Sequence, residues 1–363
     1  MMRTVFRLTW AMGLAISLHS AAAFSDDAAP VIKSAGSDER GRIVVNDEPF
    51  FPILMYDVPL DPASLTMFRA HGFNTLSATV DDGETLRKQG LYAAAHAADT
   101  QGKNLDGVLF GIGMDSPALN WKQGLHDKTR ADVAHMKSLF PNRPIFHAIG
   151  YWEDEPQGVF ENTLPSREKY DDLIPLLDVS APYLYPLPYQ PVSTVGDALR
   201  RADTAGLGKK PLLPVLQLFK WKPEDKYPTP DELRCMAFLA LIHGADGIGY
   251  YSFNYVTGKT GTNLAKEEPE LWASVKSLNQ EIATLGEFLM RSEPDDAFQV
   301  AADPSSVVWR AVHSNDASLI LITNVTNQPQ AMALTGDDQL LIMEDLKPLE
   351  SRWLMFVDPP YEK

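Results

Sequence analysis

The chain has 363 residues, 45% of them hydrophobic and 22% charged, with a formal net charge of -16 at pH 7. That acidic balance argues against DNA, RNA or an anionic membrane surface as partners, since these are held through clustered Lys and Arg, and it suits neutral or cationic substrates better. A single cysteine, Cys235, excludes an internal disulfide and any cysteine-based metal site.

At the start, Arg3 and Arg7 precede an apolar run from Leu8 to Leu18 that ends in Ser20-Ala21-Ala22-Ala23. This is the form of a secretory signal peptide, 1–23, and implies an exported, periplasmic or extracellular protein. The apolar run is too short to span a bilayer, and no later segment is long enough, so no membrane contact beyond the signal peptide is expected. About 340 residues then remain, more than the roughly 250 of one barrel domain, so a small second domain is expected.

A polar leader, 24–40, comes next. Arg42 to Leu54 alternates and turns at Asn46-Asp47, reading as a hairpin that runs into a first strand at Phe50–Tyr56. Short apolar runs then alternate with helical patterns, the sequence form of repeated βα units around a parallel sheet. Strands are expected at 74–80, 105–112, 145–151, 179–187, 212–219 and 245–253. Helices are expected at 62–71, 84–100, 128–139, 166–177, 195–205, 231–243 and 269–290. The helix after Thr229 is the best marked, with Thr229 as N-cap, Pro230 in the first turn, Asp231 and Glu232 at the positive end of the dipole, and Gly244 as stop. Seven strands are thus evident where a closed (β/α)8 TIM barrel needs eight. The eighth is expected as a brief fifth strand near Leu173–Leu177. From Asp295 the pattern turns to strands without helices, reading as an antiparallel β-sandwich. The α/β reading is therefore a barrel domain over 41–292 followed by a sandwich domain over 293–363.

In such a barrel the reactive groups stand where strands end and βα loops begin. At the end of the fourth expected strand, three carboxylates, Glu153, Asp154 and Glu155, follow Tyr151 and Trp152 and precede Pro156. Crowded like charges raise one another's pKa, and a carboxyl with a raised pKa is what a general acid needs near neutrality. A solvated acidic loop or the start of a helix would give the same pattern.

Asp154-Glu155-Pro156 resembles the Asn-Glu-Pro of clan A glycoside hydrolases, whose Glu is the acid/base. "IVVNDEPFFPILMY", ending at Tyr56, looks like the lead-in strand of those barrels. "TPDELRCMAFLALIHGADGIGYYSF", Thr229 to Phe253, is similar to the last helix and strand of many bacterial glycosidase-like barrels, and the closing strands ending "LESRWLMFV" resemble the C-terminal domain such proteins often carry. The resemblance implies a glycoside hydrolase with Glu155 as catalytic acid and Asp154 beside it. It also implies a second Glu at the end of strand seven, where this chain has Gln217 and Lys220 instead. A retaining mechanism needs two carboxyls about 5 to 5.5 Å apart, so its nucleophile is missing.

Three alternatives follow. An inverting enzyme needs a base about 6.5 to 9.5 Å from Glu155, which Asp57, Asp81, Asp82 or Asp115 could supply. In a substrate-assisted mechanism Asp154 would orient an N-acetyl group on the sugar while Glu155 donates the proton. A non-catalytic glycan-binding or polysaccharide-assembly protein on a glycosidase barrel needs neither. Aromatic side chains at strand ends support sugar binding independently, because pyranose C–H faces pack on flat rings. The substrate-binding candidates are Tyr56, Trp152, Glu153, Tyr185, Gln217, Trp221 and Tyr251. The histidines are scattered without metal-ligand spacing, and no nucleotide or serine-hydrolase motif is present, so neither metal nor cofactor is expected. Asp246 begins its strand, on the face associated with stability, and reads as a structural corner.

Overall fold

The computed structural model describes residues 4–6, 27–96, 102–112, 126–150, 166–254, 256–257, 260–261, 263–337 and 339–357. Eight parallel strands close into a barrel. They are β1 (Ile53–Met55), β2 (Thr75–Thr79), β3 (Tyr92–His96), β4 (Val108–Ile112), β5 (Ile145–Gly150), β6 (Val179–Leu184), β7 (Val215–Gln217) and β8 (Ile248–Tyr251). Closure is made by β8 on β1, with Ile248 opposite Ile53 and Tyr250 opposite Met55.

The strand missing from the sequence reading is β3. Residues 84–100 read as one helix because Ala93, Ala94 and Ala95 are strong helix formers. The helix instead stops at Lys88, Gly90 takes a φ of 75°, and Tyr92–His96 enters the barrel between β2 and β4. The three alanines are fully buried, so packing between two strands overrides their propensity. Leu173–Leu177, the expected fifth strand, is the end of the helix Ser166–Leu173 followed by a single 3-10 turn at Ile174–Leu176. Consequently Ile145–Gly150 is the fifth strand and not the fourth. It ends in Gly150 because a Cβ there would lie 2.9 Å from the Tyr183 ring on β6.

The hairpin forms as its turn residues require. Ile43–Val45 pairs with Glu48–Pro49 across Asn46 and Asp47, both with positive φ. The leader before it is not merely polar. Ile32 is buried at the base of the barrel, its N–H bonded to the Asp106 carbonyl, and the buried Arg143 donates to the carbonyls of Val108, Ile32 and Leu105. The helix Pro230–Ile242 has a full capping box between Thr229 and Glu232.

The C-terminal strands form two antiparallel sheets. One contains Glu293–Pro294, Val307–Ser314, Ala317–Asn324 and Ser351–Val357, with Thr4–Phe6 along its edge; the other contains Phe298–Ala301, Gln330–Gly336 and Gln339–Leu346. Ala317–Asn324 is buried on both faces. Ile320 and Ile322 join the sandwich core, while Leu319 and Leu321 pack into the barrel's core. Cys235, on the helix beneath, is a buried thiol 3.4 Å from Thr323 Oγ1, and burial pushes its pKa up to about 11, as befits a structural residue. Arg234 and Trp353 both bond the Glu281 carboxylate, tying helix and sandwich together. Among the described residues, no helix is long and apolar enough to cross a membrane.

Candidate functional site

The C-terminal ends of β1, β2, β3 and β8 surround a cleft of about 600 Å³. Its walls are Asp57 to Leu60 after β1, Ser77, Ala78 and Thr79 on β2, Asp82 just beyond, His96 at the end of β3, and Tyr251 and Asn254 from β8. One side is apolar, and the rest presents carboxylate, hydroxyl, imidazole and amide groups, a combination suited to a ligand with both C–H faces and hydroxyls.

Asp57 is exposed and has a φ of 53°, a conformation that costs a non-glycine residue roughly 1–2 kcal/mol. It is imposed by the tail of β8, whose Phe253 and Asn254 N–H groups bond the carbonyls of Tyr56 and Asp57. Asp82 accepts from the Thr79 N–H and hydroxyl at 3.0 and 2.6 Å, capping a short turn, and Asp81 pairs with Lys103 at 2.7 Å. His96 Nε2 lies 3.2 Å from Ser77 Oγ, both in the cleft. Neither was singled out from sequence. His96 was hidden by the helical reading of its segment, and only the Gln89-Gly90 stop signalled otherwise.

Across the mouth, the ends of β6, β7 and β8 are filled by packed aromatics. Tyr185 is buried, stacked between Tyr183 at 4.8 Å and Tyr251 at 5.7 Å, with Phe219 edge-on at 5.0 Å and Trp221 at 6.1 Å. Burial raises its pKa well above that of a free tyrosine. Tyr56 is likewise buried, edge-on to Tyr251 at 6.0 Å. Of the aromatics expected to meet substrate, Tyr251 alone among Tyr56, Tyr185, Trp221 and Tyr251 lines the cleft. Tyr56 and Tyr185 are inner supports that fix its ring, and Trp221 is half-buried behind them.

Gln217, offered from sequence as a substrate contact, is fully buried and committed to the backbone. Its Oε1 accepts the Leu187 N–H at 2.9 Å, and its Nε2 donates to the carbonyls of Leu187 and Phe219 at 2.9 and 3.1 Å. The end of β7 therefore clamps the loop after β6. Tyr151, Trp152, Glu153, Asp154, Glu155 and Pro156 lie outside the described residues, as do Asp115 and all of the signal-peptide segment except Thr4–Phe6. Asp246 stands at the start of β8, on the opposite face of the barrel, where Oδ2 accepts the Leu212 N–H at 2.9 Å, as a structural corner would. Among the described residues, no group of three or more His, Cys, Asp or Glu could hold a metal ion.

No family model and no curated protein matches the chain. Among solved structures it is similar to a beta-galactosidase from Bacillus circulans sp. alkalophilus, with a TM-score of 0.50 and 12% identity over 69% of this chain and 58% of that one. An apo exo-carrageenase from Bacteroides ovatus gives a TM-score of 0.47 and 9% identity over 64% of this chain and 55% of that one. A putative alpha-L-fucosidase from Bacteroides thetaiotaomicron gives 0.44 and 12%, over 67% of this chain and 97% of that one. The chain spans a little over half the length of the first two. The likeness is one of fold alone, a (β/α)8 barrel followed by a β-domain.

Proposed function

We propose that this chain is an exported O-glycoside hydrolase that cleaves a polysaccharide or oligosaccharide with inversion, Asp57 serving as general base and Glu155 as general acid. The observation that carries this reading is the position of Asp57. It is exposed in the cleft at the end of β1, and β1 stands four places from β5 in either direction around the closed barrel. Glu155 follows β5 by five residues in sequence. Carboxyls approaching from opposite sides of a mouth suit the wider spacing, about 6.5 to 9.5 Å, that leaves room for a water molecule. The locked amide of Gln217 supports a mechanism that does not use the end of β7.

In this mechanism Glu155 gives its proton to the glycosidic oxygen as that bond breaks. Asp57 takes a proton from the water that forms the new bond to the anomeric carbon from the other face. Asp154 orients the acid, Trp152 and Glu153 border the sugar, and Tyr251, its ring fixed by Tyr185 and Tyr56, packs against a pyranose face. The test is turnover of glycan substrates by Asp57→Asn and Glu155→Gln, with the anomer released by the wild type read by NMR. Each substitution is expected to lower turnover about 10² to 10⁴-fold, and the first product is expected to be the inverted anomer. Full activity in Asp57→Asn, or a retained anomer, would refute the scheme.

A second reading, a non-catalytic glycan-binding or assembly protein, is favoured by one observation. The end of β7, where the resemblance calls for a nucleophile, holds an amide with no group left for a reaction. This reading predicts saturable glycan binding without any cleaved product.

A further inference from the structure

The clamp made by Gln217 acts on the loop Pro186–Gln190, which lies at the rim beyond the cleft. Its two hydrogen bonds to Leu187 fix one end of the loop, and the Gln190 N–H closes the turn on the Pro186 carbonyl at 2.7 Å. The turn carries Tyr189, one of few large apolar side chains exposed among the described residues, at 39%. A second tight turn, Lys222–Asp225, abuts it, closed by the Asp225 N–H on the Lys222 carbonyl and by the Lys222 N–H on the Asp225 carboxylate, each at 3.0 Å. Lys222 Nζ lies 5.9 Å from the centre of the Tyr189 ring. The phenol, through a hydrogen bond, is the main influence raising the lysine's pKa, with Asp225 and Glu224 adding to it. An exposed tyrosine on a free loop would need no explanation, but this one is carried on a turn anchored from the barrel core.

We propose that Tyr189 and Lys222 form a subsite for a neutral glycan chain, outside the cleft that Asp57 lines. This rests on the reading of the cleft as a glycan site. The Tyr189 ring supplies a platform for a pyranose face, and the lysine ammonium supplies hydrogen bonds to sugar hydroxyls. Asp225 and Glu224 offset the lysine's charge, so the subsite offers no net attraction to an anionic sugar. Gln217 acts as a positioning residue, holding the platform in place before the ligand arrives.

The experiment is calorimetry of the full chain with cellohexaose, xylohexaose, mannohexaose and chitohexaose, each against its own disaccharide. The wild type is expected to bind at least one hexasaccharide more tightly than the matching disaccharide. Tyr189→Ala is expected to weaken the hexasaccharide about three- to tenfold and so shrink that advantage, whereas Tyr189→Phe keeps it. An advantage undiminished in Tyr189→Ala, or absent from the wild type, would overturn the subsite while leaving the hydrolase reading intact. An advantage lost in Tyr189→Ala, with no product formed by the wild type, would sustain the subsite and overturn the hydrolase. Absence of binding to every probe would overturn both.

Discussion

Replacing Asp246 by Asn should make the protein more stable in mild alkali and expose a hidden acid sensitivity. Asp246 lies where three parts of the chain meet. It faces Arg310 from the sandwich and Asp38 and Arg42 from the lead-in segment, and it accepts the Leu212 N–H. Burial pushes its carboxyl up to about 7, against the pull of that hydrogen bond and of Arg310. Three residues earlier, burial brings the imidazole of His243 down to about 4, with the cations of Arg200 and Arg310 adding to the effect. A carboxyl whose folded pKa is raised stabilises the fold fully below its unfolded value of 3.8, and the contribution is lost as pH rises through 7. An imidazole whose folded pKa is lowered contributes fully above 6.5, and the contribution is lost as pH falls through 4. At 1.36 kcal/mol per pH unit the first is on the order of 4 kcal/mol and the second about 3. Between pH 4 and 6.5 unfolding releases a proton from one group and binds one at the other, so these two contributions nearly cancel. An Asn side chain still accepts the Leu212 N–H but carries no charge. Urea unfolding of the full chain at pH 4.5, 6 and 8 should therefore show Asp246→Asn gaining up to about 4 kcal/mol at pH 8. The same variant should lose stability steadily on acidification below pH 6.5, where the wild type stays level with respect to this pair. A variant less stable than wild type at pH 8, with an unchanged pH profile, would refute the reasoning.

Gln217→Glu removes the donors that serve Leu187 and Phe219 and sets a buried carboxyl against those two carbonyls, so a loss of about 3–5 kcal/mol is expected in thermal unfolding, with no retained anomer in any product. Stability equal to wild type would contradict the clamp. Thr229→Ala removes the hydroxyl that accepts the Glu232 N–H and should cost about 1 kcal/mol in a urea midpoint, an unchanged midpoint telling against the capping box.

The parts of the fold that were legible in sequence are those where local chemistry and tertiary packing agree. The Thr229-Pro230 helix start, the Asn46-Asp47 turn and the alternating strands of the sandwich all formed where their residues indicated. The strand Tyr92–His96 was illegible because its alanines suit a helix as well as a crowded barrel interior, and only the barrel decides between them. The candidate site was read less well for a related reason. A side chain at a strand end can face the cleft or the wall, and sequence does not distinguish Tyr251, which lines the cleft, from Tyr185, which supports it.

Counting that one strand changes the chemistry, because it moves Glu155 from the fourth strand to the fifth. In the hydrolases that Asp154-Glu155-Pro156 resembles, acid and nucleophile follow strands four and seven, three places apart. Here a Glu155 that follows β5 would be only two places from β7, whose end is already filled by the Gln217 clamp and the aromatic layer. By the same count a Glu155 reached from β5 would be four places from β1, whose end carries Asp57, held in a strained conformation by the tail of β8 and lining the cleft. Backbone strain at an exposed carboxylate persists only where the surrounding hydrogen bonds impose it. The barrel whose β7 ends in the Gln217 clamp carries an exposed carboxylate at the end of β1, four places from β5, and the proposed inverting pair requires it to stand about 6.5 to 9.5 Å from the acid.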